Sequence, residues 1–119
     1  MSEKLYDLRF VEEMSGGNRE FTRQLMMLFI ETVPESLENI NRYYQNEQYD
    51  KLSSELHKLK STVNTVKIPA LTEKIEDFEN LCKSNNQNSQ LREYVYEFNE
   101  VLPAVIEQME SDLSCMEEE

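Results

Sequence analysis

The chain has 119 residues, 39% apolar and 30% charged, with a formal net charge of -12. That length builds one hydrophobic core and not two, so residues 1–119 read as a single domain. Two glycines and three prolines exclude a turn-rich β protein and a Gly-rich phosphate loop, and the negative charge works against nucleic acid and anionic membrane as partners.

Every strong pattern is helical. Residues 5–14 predict a short first helix with Leu5, Leu8 and Val11 on one side. Ser15-Gly16-Gly17 ends it, and Asn18 is an N-cap for the next. The second helix carries Phe21, Leu25, Leu28 and Phe29 on one stripe, with a kink or break at Pro34. Beyond it, Leu37, Ile40 and Tyr44 keep the spacing to about Gln45. Asp50 is placed to cap a third helix, whose apolar stripe is Leu52, Leu56, Leu59, Val63 and Val66. Pro69 suits the first turn of a fourth, with Leu71, Ile75, Phe78 and Cys82 inward. Residues 84–89 form a polar loop. A last helix, about 89–113, carries Leu91, Val95, Phe98, Leu102, Val105 and Met109, with Pro103 as a second kink or break. The tail, residues 116–119, is expected to fray. Four amphipathic helices with short loops predict an all-α, up-and-down four-helix bundle, with the short N-terminal helix capping one end.

No segment reaches the ~20 apolar residues of a membrane span, and no basic segment leads into an apolar run at the start as in a signal peptide. Cys82 and Cys115 lack a framework spacing and read as reduced thiols. Together these predict a cytoplasmic protein, expected as a monomer.

Within the second helix, Leu25 to Ile30 are six consecutive apolar residues, which one core cannot take from one helix. Met26 and Ile30 lie off the stripe, with Val33 one turn on. Either the N-terminal helix covers them or they form an exposed apolar docking patch.

His57 is the sole histidine. A helix turns about 100° per residue, which sets His57 opposite the apolar stripe of its helix, among Ser53, Lys60, Ser61 and Asn64. Residues 51–67 hold Lys51, Lys58, Lys60 and Lys67 against one acid, Glu55. A basic spot in an acidic chain suits phosphate or an acidic partner. Imidazole is nucleophilic and largely neutral near pH 7, so an exposed histidine with a lysine one turn on can carry a phosphoryl group. One histidine with scattered carboxylates lacks the converging ligands of a catalytic metal site; Glu73, Glu76 and Asp77 read as a solvated face.

The run Leu56-His57-Lys58-Leu59-Lys60-Ser61-Thr62-Val63 resembles the motif of histidine-containing phosphotransfer (HPt) domains: His, any residue, Leu, Lys, Gly, then small residues. Ser15-Gly16-Gly17-Asn18 before Glu20-Phe21, then Leu28-Phe29, Pro34, Leu71 and Leu81-Cys82, resemble the surroundings of that motif. The resemblance covers about residues 7–83. It implies that His57 is the phosphoacceptor and that Lys60 steadies the phosphoryl group. Ser61 and Lys67 stand where the family usually has glycine. The implied partners are response-regulator receiver domains and a hybrid histidine kinase. The implied activity is stoichiometric phosphate carriage, with no nucleotide site, no cofactor on this chain and a divalent metal on the receiver. Met26, Ile30, Ser53, Lys58, Ser61 and Asn64 are the expected partner-binding residues. The competing reading is a helical adaptor that docks receiver or kinase domains without transfer.

Overall fold

The computed structural model describes residues 4–84 and 89–117, with the Glu117 side chain left out. The helices are α1 (Arg9–Met14), α2 (Arg19–Gln45), α3 (Tyr49–Val66), α4 (Pro69–Thr72), α5 (Ile75–Lys83) and α6 (Ser89–Glu117). Among the described residues there is no strand. The bundle is elongated, 48 × 25 × 23 Å, and closes as a ring: α3 packs on α2 and α5, and α6 on α2 and α5.

Each predicted stripe of α3, α5 and α6 faces one continuous core. Leu52, Leu56, Leu59, Val63 and Val66 of α3 meet Ile75, Phe78 and Cys82 of α5 and Leu91, Phe98, Leu102, Val105 and Met109 of α6. Phe78 is its aromatic centre. Its ring lies 5.1 Å from Phe98, edge to face, and 5.4 Å from Tyr94. Fully burying each such side chain stabilises by about 1.5–3 kcal/mol.

The first helix is shorter than predicted. Residues 4–8 run as a strap instead of a helical turn. The Leu5 amide donates to Gln108 Oε1 at 2.7 Å, the Asp7 amide to the Val66 carbonyl at 2.8 Å, and the buried Tyr6 hydroxyl to Asp112. Those partners on α3 and α6 satisfy the backbone that a helix would have paired internally. Burial, with Asp112 alongside, pushes the Tyr6 phenol far up.

Asn18 caps α2 as predicted, its side chain accepting from the Phe21 amide. At α3 the cap position falls on Gln48, with Asp50 one place inside the first turn, where its charge still favours the helix dipole. The predicted fourth helix is two pieces, α4 and α5, divided at Glu73–Lys74. Positions 85–88 of the predicted polar loop lie outside the described residues, as do 118–119 of the tail. Met116 is helical and packs against the core, so the fraying expected there does not occur. Among the described residues no helix is long and apolar enough to cross a membrane.

Candidate functional site

Because the apolar stripe of α3 is drawn into the core, the opposite side is held out to solvent, and His57 sits there with its side chain 70% exposed. Lys60 follows one turn later. Across from them runs α5, which turns Ile75, Phe78, Glu79 and Cys82 inward. Glu79 therefore occupies a position of the apolar stripe, and its side chain is 3% exposed.

Three groups converge on this carboxylate. His57 Nδ1 lies 3.4 Å from Oε2, a long contact, and Lys83 Nζ lies 2.9 Å from the same oxygen. Lys60 Nζ lies 3.3 Å from Oε1, which is buried and has no well-directed hydrogen bond. Burial pushes the Glu79 carboxyl up, but the Lys83 and Lys60 ammonium groups more than offset this and hold it below the ordinary glutamate range. An ionised carboxylate can only accept hydrogen bonds. In a neutral ring facing it, the proton therefore belongs on Nδ1, which leaves the lone pair on Nε2. Nearby, burial followed by the charge of Glu79 pushes the Cys82 thiol up to about 12, so it stays protonated and inert.

The structure brings His57 and Lys60 together as the sequence predicts, with Lys58, Ser61 and Asn64 exposed on the same helix. Two of the expected partner-binding residues are corrected. Met26 is 1% exposed and Ser53 is 7% exposed, so neither offers a docking surface. Ile30 is half-buried and packs against the core. The reason is the rotation of α2. Its inward stripe is Thr22, Met26, Phe29, Val33, Leu37 and Ile40, which leaves Phe21, Met27 and Leu28 exposed. Leu25, Leu28, Phe29 and Thr32 of α2 line a groove of about 120 Å³ with Ser61, Thr62, Thr65 and Val66 of α3. Ser61, one turn beyond His57, sits at its edge.

Glu79 and Lys83 are absent from the sequence-derived site. Glu79 did carry a signal. It stands four residues after Ile75 and three before Cys82, so a carboxylate interrupts an apolar repeat. A charge in such a place is buried at a cost unless it has partners.

In comparison with known proteins, no curated protein and no solved structure matches the chain. The family model described as "Hpt domain" matches residues 24–114, a span that contains His57, Lys60, Glu79 and Lys83. The chain therefore belongs to the Hpt domain family, whose members serve as histidine phosphocarriers in phosphorelays and interact with receiver domains and histidine kinases.

Proposed function

We propose that this chain shuttles a phosphoryl group between receiver-domain aspartates through a phosphohistidine at His57. The observation that carries the reading is the exposed His57 ring with Nδ1 turned to a buried, ionised Glu79 and a lysine one turn away. In the forward step the Nε2 lone pair attacks phosphorus in the aspartyl phosphate of a receiver. The N–P bond forms as the P–O bond to the carboxyl breaks, and that bond's electron pair stays on the aspartate. The positive charge that develops on the ring is met at Nδ1–H by Glu79. The return step reverses this sequence toward a second receiver. Phosphoryl transfer needs mainly positioning and charge stabilisation, and Lys60 supplies a positive charge beside the nucleophile. In this reading the divalent cation belongs to the receiver. The groove between α2 and α3, with exposed Leu28 at its side, gives an apolar surface next to the reacting helix face. Ser61 lines that groove, and Lys58 and Asn64 are exposed on the same helix.

The test is a transfer assay with a panel of receiver domains phosphorylated on aspartate, using the unaltered chain and His57→Gln. Acid-labile, alkali-stable label is expected on the unaltered chain alone, with helicity unchanged in the variant. Label on the variant would remove His57 from the mechanism. Binding without transfer across the panel would favour a docking adaptor.

A further inference from the structure

A phosphoryl group can leave a histidine in two ways. If Nδ1 carries a proton when the N–P bond breaks, the electron pair returns to Nε2 and a neutral imidazole departs. Without that proton the leaving group is an imidazolide anion, which is far poorer. A loaded carrier waits between donor and acceptor, and the His57 side chain is exposed, so water can take the Nδ1 proton during that wait. The charges that face the ring decide whether it stays. On α5 they are Glu79, whose Oε2 lies 3.4 Å from Nδ1, and Lys83, whose ammonium lies 2.9 Å from the same oxygen. On α3 the facing charge is Lys60, 3.3 Å from the other carboxylate oxygen, while Lys58 is exposed and screened by solvent. The α2 residues in the adjoining groove, Leu25, Leu28, Phe29 and Thr32, are uncharged. A phosphoryl group on Nε2 adds about two negative charges. Two lysines against the carboxylate and the phosphoryl group leave one negative charge in excess, and a proton on Nδ1 makes the site neutral. Without the carboxylate charge the lysines already balance the phosphoryl group, and nothing favours the proton.

We propose that Glu79 is a positioning residue for the return step: it keeps the proton on Nδ1 of phosphorylated His57 through the lifetime of the loaded state, so that the ring leaves as neutral imidazole. This rests on the carrier reading and adds to it, because turning Nε2 outward needs an acceptor at Nδ1–H but not a charged one. Burial holds the carboxylate in place, with its side chain 3% exposed, so it faces the ring throughout. In the return step a receiver carboxylate oxygen bonds to phosphorus as the N–P bond breaks. The electron pair of that bond goes to Nε2, Nδ1 keeps its proton, and the positive charge on the ring disappears.

The variant Glu79→Gln keeps an acceptor for Nδ1–H and removes the charge. Both chains, isotope-labelled in the ring nitrogens, are loaded with phosphoramidate, whose P–N bond breaks as the bond to His57 forms and ammonia leaves. NMR follows the loaded ring as pH is raised. The same samples give the rate of phosphate loss to water and of transfer to an unphosphorylated receiver. The unaltered chain should keep its Nδ1 proton to a pH about one unit higher than the variant. Both rates should hold their plateau over that extra interval, which makes the variant up to roughly tenfold slower there and little different at lower pH, where both rings are protonated. Equal proton loss in the two chains, with rates that differ by one factor at every pH, is what a merely ring-orienting acceptor gives; it overturns the proposal and leaves the carrier reading intact. Absence of exchange with every receiver sinks the carrier reading, while the ring titration still decides for Glu79. A chain that takes no phosphoryl group from phosphoramidate overturns both. If Glu79→Gln does not fold, Lys83→Gln decides. Loss of that cation should extend proton retention to higher pH, and an unmoved titration overturns the proposal.

Discussion

Lys67 ends α3 in the left-handed region at φ 51°, the conformation that favours glycine. Its ammonium lies 5.6 Å from the centre of the Phe10 ring, a contact that offsets part of the strain. The chain thus keeps the turn that a glycine would make and adds a cation at the end of the helix. Lys67→Ala loses the Phe10 contact and keeps the strain, whereas Lys67→Gly relieves it. In urea unfolding the Gly variant should be more stable than the Ala variant by about 1 kcal/mol. Glu79 is the other residue whose environment decides its effect. Its folded pKa lies below the ordinary value, so it contributes stability above the unfolded pKa that is lost as pH falls through the folded one. Thermal melts taken from about pH 7 down to about pH 3 should therefore fall less steeply for Glu79→Gln than for the unaltered chain. The identities and spacing of His57 and Lys60 are legible in the sequence because they lie on one helix. Glu79 and Lys83 join them from another helix, and helical spacing carries no information about which neighbour faces which.

The long helices show where packing overrides local preference. Pro34 and Pro103 each read as a kink or break; neither breaks its helix, and α2 and α6 run through them. Both prolines sit on exposed faces of their helices, where the ring crowds no core side chain. On either side the helices bury Phe29, Val33, Leu37 and Ile40, and Phe98, Leu102, Val105 and Met109. At about 1.5–3 kcal/mol for each buried side chain, that burial outweighs the ~3 kcal/mol a proline costs. The pairing of these two helices is fixed by a reciprocal amide bridge. Asn41 and Asn99 donate to each other at 2.8 Å, and Asn99 also donates to the Val95 carbonyl. Removing one partner strands the other. Asn99→Ala should cost about 1–3 kcal/mol in denaturant unfolding, and the Asn41→Leu/Asn99→Leu pair should cost less than the two single changes added together.

On the scale of the whole molecule, the orientation of α2 decides which apolar residues are structural and which are free to meet a partner. The sequence offers two adjacent stripes on that helix, and its spacing favours Phe21, Leu25 and Leu28 as the inward one. The fold instead turns Met26 and Val33 inward and leaves Leu28 55% exposed. Met26→Ala should therefore destabilise by about 2–5 kcal/mol, while Leu28→Ala should leave stability within about 0.5 kcal/mol and weaken receiver binding. Paired unfolding and binding measurements separate the two effects. The sequence by itself determined the all-helical class, the inward stripes of α3, α5 and α6, and the placing of His57 opposite an apolar face. Each of these follows from periodicity within one segment. Only the tertiary structure decided that residues 4–8 form a strap, which face of α2 is buried, and that Glu79 lies beneath His57, Lys60 and Lys83. Those outcomes depend on which surfaces meet across the bundle, where burial of apolar area and the pairing of buried charge outweigh the preferences of any one helix.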